Sequence, residues 1–203
     1  MTALADDLDR TLEAALASLG TVLDLDWQVP AAGLTWSCRG TLVHVADDLF
    51  SYAGQLATRA PQVDGLVPFR YTADRDDEDQ TAVHVDPAAG NAGVLEVVDA
   101  CGGLLSAVVR TRGPEARGFH VYGVSDPDGF AAMGTVEVLL HVYDVAGALG
   151  FAWDPDADAV RRVLARLFPD TPAGGDPWAT LLAATGRAGG VPGDWRWDAS
   201  VLG

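Results

Sequence analysis

The stretch from Gly134 to Gly150, Gly-Thr-Val-Glu-Val-Leu-Leu-His-Val-Tyr-Asp-Val-Ala-Gly-Ala-Leu-Gly, constrains the fold of this chain more than any other. It is strongly apolar, yet it places a carboxylate, Glu137, and an imidazole, His141, four residues apart. On an α-helix that spacing sets both groups on one face, about one turn apart. Val136, Leu139 and Leu140 occupy adjoining faces, so the pair falls near a helix-packing interface, where an unpartnered charge is costly. A metal ion would satisfy it; so would a plain Glu–His hydrogen bond or a partly solvated polar edge.

A second stretch bears on that choice. A helix should begin at Thr35 or Ser37 as N-cap and run to about Arg59, stopped by Pro61. Leu42, Val45, Leu49 and Leu56 form its apolar stripe, while His44, Asp48 and Tyr52 follow one another at four-residue intervals along an adjacent line. Taken alone, such a histidine reads as a satisfied structural residue, and Asp48 as a hydrogen-bond acceptor or a group facing water.

The rest of the chain supplies more helices. Residues 2 to 19 repeat Leu4, Leu8, Leu12, Ala15, Leu16 and Leu19 with helical period, and Gly20 ends that run. Thr21 to Gly33 reads as a loop pinned by Trp27. From Ala60 to Asp86 runs a long connection whose acidic segment, Asp74 to Asp79, reads as a solvated face. Asp86-Pro87 opens a third helix to about Thr111, and Ser125-Asp126-Pro127 a fourth that closes at Gly150. Phe119 to Tyr122 reads as a short extended piece, and both His84 and His120 as surface or turn residues. Asp154-Pro155 should start a fifth helix ended by Pro169, and Asp176-Pro177 a short sixth ended by Gly186. The tail is Gly-rich, with Trp195 and Trp197 spaced to lay one or both indoles on the body from an extended segment. The expectation is an all-α chain: an antiparallel four-helix bundle over residues 1–152 with residues 153–203 packed on its outside. The long connection could instead be a crossover that sets the second and third helices parallel.

Composition narrows the chemistry. With 203 residues, 49% of them apolar, the chain can bury a sizeable core and fits one domain. A formal charge of −16 argues against nucleic-acid backbones and anionic membrane surfaces. All 13 basic residues are arginine, which excludes a lysine Schiff base and a Walker-type phosphate loop. Cys38 and Cys101 have no metal or redox spacing and read as reduced buried thiols. The N-terminus lacks a basic leader, and no window approaches the ~18 uninterrupted apolar residues of a membrane span. The expected location is cytoplasmic.

Three segments together carry a family likeness: Trp27-Gln-Val-Pro-Ala-Ala-Gly-Leu-Thr-Trp36-Ser37 leading into Thr41-Leu-Val-His44-Val-Ala-Asp-Asp48, then Glu137-Val-Leu-Leu-His141-Val-Tyr-Asp144, and Asp176-Pro-Trp to Gly186-Arg187. In these the chain resembles the DinB-like superfamily of metal-binding four-helix bundles, and within it the metal-binding domain of the mycothiol-dependent maleylpyruvate isomerase family. The resemblance implies a divalent metal, zinc with nickel as the alternative, held by His44, Glu137 and His141. Two neutral imidazoles and one carboxylate leave a coordination position open, as catalytic zinc sites do. Asp48 or Asp144 would orient an imidazole N–H. In the family the open position takes the thiolate of mycothiol, which acts as co-substrate.

The characterised isomerases carry a further C-terminal domain, for which this sequence leaves no room after its bundle, and that points away from maleylpyruvate itself. The expected function is a metal- and mycothiol-dependent transferase or isomerase acting on a small electrophile, in a monomer or homodimer. Arg187, whose fork suits a carboxylate, is a candidate for steering the substrate, with a surface salt bridge as its other reading. A non-catalytic metal-binding stress or sensor bundle and a hydrolase using metal-bound water are the alternatives.

Overall fold

Four helices of the chain begin at a residue whose side chain caps them. The computed structural model describes residues 3–73, 80–172, 174–189 and 196–200, and six α-helices lie among them: α1 (Ala3–Leu19), α2 (Cys38–Ala57), α3 (Gly90–Thr111), α4 (Pro127–Leu149), α5 (Ala157–Leu167) and α6 (Pro177–Ala184). Ser37 Oγ accepts from Gly40 N at 2.9 Å, Asp126 from Gly129 N at 2.8 Å and Asp156 from Ala159 N at 2.7 Å, while Asp176 accepts from the N–H groups of Trp178 and Ala179. Each such cap is worth about 1 kcal/mol. The cap of α5 is therefore Asp156 and not Asp154, because Asp156 is the residue that reaches an N–H of the first turn. Asp86-Pro87 opens a short 3-10 turn, Pro87–Ala89, that leads into α3. The only strands among the described residues are β1 (Thr72–Ala73) and β2 (Gln80–Thr81), an antiparallel pair inside the long connection. Phe119 to Tyr122 is a turn closed by a bridge between Gly118 and Ser125, not a strand. The acidic segment 74–79 and Trp195 lie outside the described residues.

α4 is buried on nearly every side, and this is what its apolar sequence demands. α1, α2 and α3 pack around it, α5 lies against α4 and α1, and α6 against α5. Gly134 permits a close approach of three helices: a Cβ there would stand 2.6 Å from Leu105 Cδ2 and 3.0 Å from Leu49 Cδ2. By length and composition α4, and α3 with its leading turn, could cross a membrane; in α4 that apolarity serves the core.

Directions follow from which ends meet. Arg112, just after α3, donates to Leu56 O at 2.6 Å and to Thr58 O at the end of α2, while Arg39 near the start of α2 reaches Val85 O at 3.3 Å. α2 and α3 are thus parallel. Arg110, late in α3, pairs with Asp6 and Asp9, early in α1, so α1 is antiparallel to α3. His44 and Tyr52 of α2 meet His141 and Phe130 of α4 respectively, so α2 and α4 are antiparallel. The wholly antiparallel arrangement is wrong, and the connection after α2 is the crossover. Its course is fixed by Gln55, which accepts from Val67 N at 2.6 Å, and by Asp47, which accepts from Ala82 N and Val83 N at 2.7 and 2.8 Å.

Two arginines of α5 attach the C-terminal third, Arg166 buried and Arg162 partly exposed. Arg162 of α5 forks onto the fully buried Asp7 of α1 at 2.5 and 2.7 Å. Arg166 donates to Asp126, to Ser125 and to the carbonyls of Ala199 and Ser200. Trp197 is buried, as an indole laid on the body should be.

The close crossing at Gly134 gives a direct test. Gly134→Val should destabilise by about 2 kcal/mol through overpacking, whereas Gly103→Ala, on an exposed face of α3 with nothing within 4 Å, should stabilise by up to about 1 kcal/mol. Urea titration of both variants reads the difference.

Candidate metal centre

Antiparallel packing of α2 on α4 sets two rows of one-turn spacing against each other, His44, Asp48 and Tyr52 on one side and His141 and Glu137 on the other. One ligand atom from each of His44, Glu137 and His141 comes within 4.8 Å of the others, a group that could hold a metal ion. Nε2 of His141 lies 3.2 Å from Oε2 of Glu137, and the two imidazole rings stand edge to face with centroids 5.2 Å apart. The Trp36 indole covers them, 4.8 Å from the His44 ring and 6.4 Å from that of His141. Glu137 and His141 are buried, while the His44 side chain keeps 23% exposure and marks the side from which the group can be reached.

The surroundings hold these side chains in place. Asp48 Oδ2 is 3.3 Å from Nε2 of His44. Tyr52 donates its hydroxyl to Glu137 Oε1 at 3.4 Å. Asp144 Oδ2 is 3.3 Å from Nδ1 of His141. Despite these approaches, Glu137 Oε2 and His141 Nδ1 are buried with no hydrogen bond of adequate direction. A buried carboxylate oxygen in that state is costly, and a cation between the donors would remove the cost.

Charge follows the same geometry. Burial pushes the Glu137 carboxyl up, but His141, His44 and a hydrogen bond with Asp48 outweigh it and hold the group below the usual range. Asp48 is the other half of the arrangement: burial, with Glu137 nearby and only partly countered by His44, takes its carboxyl up to about 7. For His141 burial works against the proton, but Asp144 and Glu137 raise the imidazole above its ordinary value. Tyr52, buried beside Asp48 and Glu137, keeps its proton well past its usual range.

Arg187 and His120 are not where their sequence suggests. Arg187 neither sits on the surface nor faces the open side: it is buried, with Nε 2.9 Å and Nη2 2.7 Å from the two oxygens of Asp144. His120 is buried too, stacked on Trp197 and edge-on to Tyr52, with Nδ1 accepting from Tyr122 N at 3.2 Å. Arg187 does form a salt bridge, but a buried one, and the partners of both residues, Asp144 and Trp197, are remote in sequence, so neither burial is a local signal. His84 is exposed, as expected of a turn residue, and its Nε2 lies 2.8 Å from Thr72 Oγ1. Tyr52 was visible only as the third member of the α2 line, with nothing to mark its phenol as a partner of Glu137.

No family model matches the chain, and neither a characterised protein nor a solved structure does.

Two predictions follow from this geometry. His44→Ala, Glu137→Gln and His141→Ala should each lose most of the bound divalent metal, while His84→Ala and His120→Ala keep it. Elemental analysis decides this, and equal metal in wild type and His141→Ala would exclude the site. The second concerns His120, whose burial lowers its pKa to about 4. Unfolded, it titrates near 6.5, so the unfolded chain binds more protons between those values; this stability is full above about pH 6.5 and is lost as pH falls toward about 4. His120→Phe should therefore lose about 2 kcal/mol less than wild type between about pH 7 and about pH 4.5, read as urea midpoints of the metal-free proteins.

Proposed function

We propose that the chain is a DinB-like four-helix-bundle metalloprotein, similar to the metal-binding domain of mycothiol-dependent maleylpyruvate isomerases, that catalyses transfer or isomerisation of a small electrophile with a low-molecular-weight thiol. The observation that carries this reading is the His44–Glu137–His141 group with its buried, unsatisfied Glu137 oxygen. The donor set fits a borderline-soft divalent ion, zinc or alternatively nickel, and three protein donors leave room for an exogenous one. Bound there, the ion supplies the acidity that converts a thiol of pKa about 8.5, only a few per cent thiolate at neutral pH, to thiolate.

The chain's own residues do the rest. Tyr52 and Asp48 aim Glu137 from one side, and Asp144 faces the far nitrogen of His141. Trp36 closes one flank, which limits water and leaves approach past His44. Orienting thiol and electrophile together in such a recess contributes more than the thiolate population alone. Asp48, with a carboxyl near neutrality, favours a second reading as a hydrolase, since such a group can accept a proton from water.

Cobalt-substituted protein separates the two. Mycothiol, in preference to glutathione, should shift the cobalt absorption through a new sulfur–metal bond and raise the melting temperature, because a ligand of the native state stabilises it. If saturating mycothiol changes neither, the thiol reading is wrong and the hydrolase or a non-catalytic metal-binding role replaces it.

A further inference from the structure

A buried guanidinium from the far end of the sequence, that of Arg187, reaches Asp144 beside the ligand set. We propose that Arg187, in the 3-10 turn that follows α6, is a positioning residue for His141: it fixes Asp144 with a two-pronged contact, and Asp144 fixes the imidazole from its Nδ1 side. This rests on the metal-binding reading above and extends it to the C-terminal segment.

The geometry runs in one line. Both oxygens of Asp144 are taken by Arg187, at 2.9 and 2.7 Å, and Oδ2 also stands 3.3 Å from His141 Nδ1. The opposite ring nitrogen, Nε2, faces Glu137 at 3.2 Å, toward the ligand group. An acceptor at Nδ1 selects the tautomer whose Nε2 lone pair is free for a metal, and it fixes the ring plane. The Nδ1 contact is oblique, and Nδ1 has no other hydrogen-bond partner, so a small ring rotation suffices to complete it.

A purely structural brace would not need these groups. Arg187 and Asp144 are both almost fully buried, and a buried ion pair gains little over apolar residues of the same volume. What apolar residues cannot supply is an acceptor held against His141. The segment is built to deliver the guanidinium to that point. Trp178 of α6 packs edge-on against Tyr143, the neighbour of Asp144, with ring centroids 5.6 Å apart. Leu181 is fully buried, and Gly186 adopts φ +72°, which a residue with a side chain rarely adopts, to turn the chain inward before Arg187. A lysine could neutralise Asp144 but could not grip both oxygens and so fix the carboxylate plane.

The test is zinc affinity, measured by competition with a chromophoric chelator, in wild type, Arg187→Met, Arg187→Lys, Asp144→Asn and the Arg187→Met/Asp144→Asn double variant. Arg187→Met should weaken zinc binding by about 10- to 100-fold, the usual cost of losing an outer partner of a ligand, and Arg187→Lys by several-fold. The double variant should be no weaker than Asp144→Asn alone, because Arg187 acts only through Asp144. Long-range proton–nitrogen spectra of the histidine rings should show His141 protonated at Nδ1 in wild type and a mixture of tautomers in Arg187→Met. Unchanged affinity and tautomer in Arg187→Met, or losses that add in the double variant, overturn the inference and leave the metal site standing. Failure of wild type to bind zinc overturns both. If Arg187→Met does not fold by circular dichroism, Arg187→Lys decides: wild-type affinity and tautomer in it refute the positioning role.

Discussion

Burying Glu137 and His141 in the middle of α4, the most deeply buried helix, is the constraint on which the rest of this structure depends. Neither side chain can reach bulk water, so each must be matched within the protein. α2 brings His44, Asp48 and Tyr52, the segment before α2 brings Trp36, and the chain beyond α6 brings Arg187 to Asp144. Even so, Oε2 of Glu137, the oxygen that faces His141 Nε2, has no hydrogen-bond partner. Evenly packed apolar residues would be more stable than such a network, so it is understood best as an arrangement kept for a ligand.

The direction of α2 is what makes the network possible. Run antiparallel to α4, its row at one-turn spacing meets the α4 row in reverse order, so the ring of His44 faces that of His141 and the phenol of Tyr52 faces Glu137. A short hairpin from α2 would make α3 antiparallel to it. The crossover lets α3 run parallel to α2, and Gln55, Asp47 and Arg112 secure the route with side chains that bond backbone groups. Those bonds answer a second need, since a long irregular segment against a core must have its N–H and C=O groups satisfied.

Most of the helices were legible in the sequence because their signals are local. Asp126-Pro127 and Asp176-Pro177 are caps that act within one turn, and the apolar rows of α1 and α2 mark their buried faces without reference to any partner. His44, Glu137 and His141 were legible for a different reason: the four-residue spacing fixes a shared face, and resemblance joined the two helices. What could not be read was decided by contacts between distant segments. His120 looked like a turn residue, and it is one, but Trp197 from the tail covers it. Asp154 and Asp156 are equivalent as caps by composition, and only the backbone path selects Asp156. The parallel pairing of α2 and α3 was equally beyond local signals, because the connection between them carries no periodicity.

The absence of lysine, which at the level of composition only excludes chemistries, acquires a structural sense here. Three acids that the core buries or half-buries, Asp7, Asp126 and Asp144, each face an arginine that makes more than one contact: Arg162 grips both oxygens of Asp7, Arg166 bonds Asp126 together with two carbonyls of the tail, and Arg187 grips both oxygens of Asp144. An ammonium carries comparable charge but is more strongly hydrated and has no planar fork, so it would lose more on burial and define less of its partner's orientation. In a chain with a formal charge of −16 the few cations cannot neutralise the surface. Arg162, Arg166 and Arg187 are placed instead where one guanidinium ties a C-terminal element to the core and sets the angle of a carboxylate, and at Asp144 that angle faces His141.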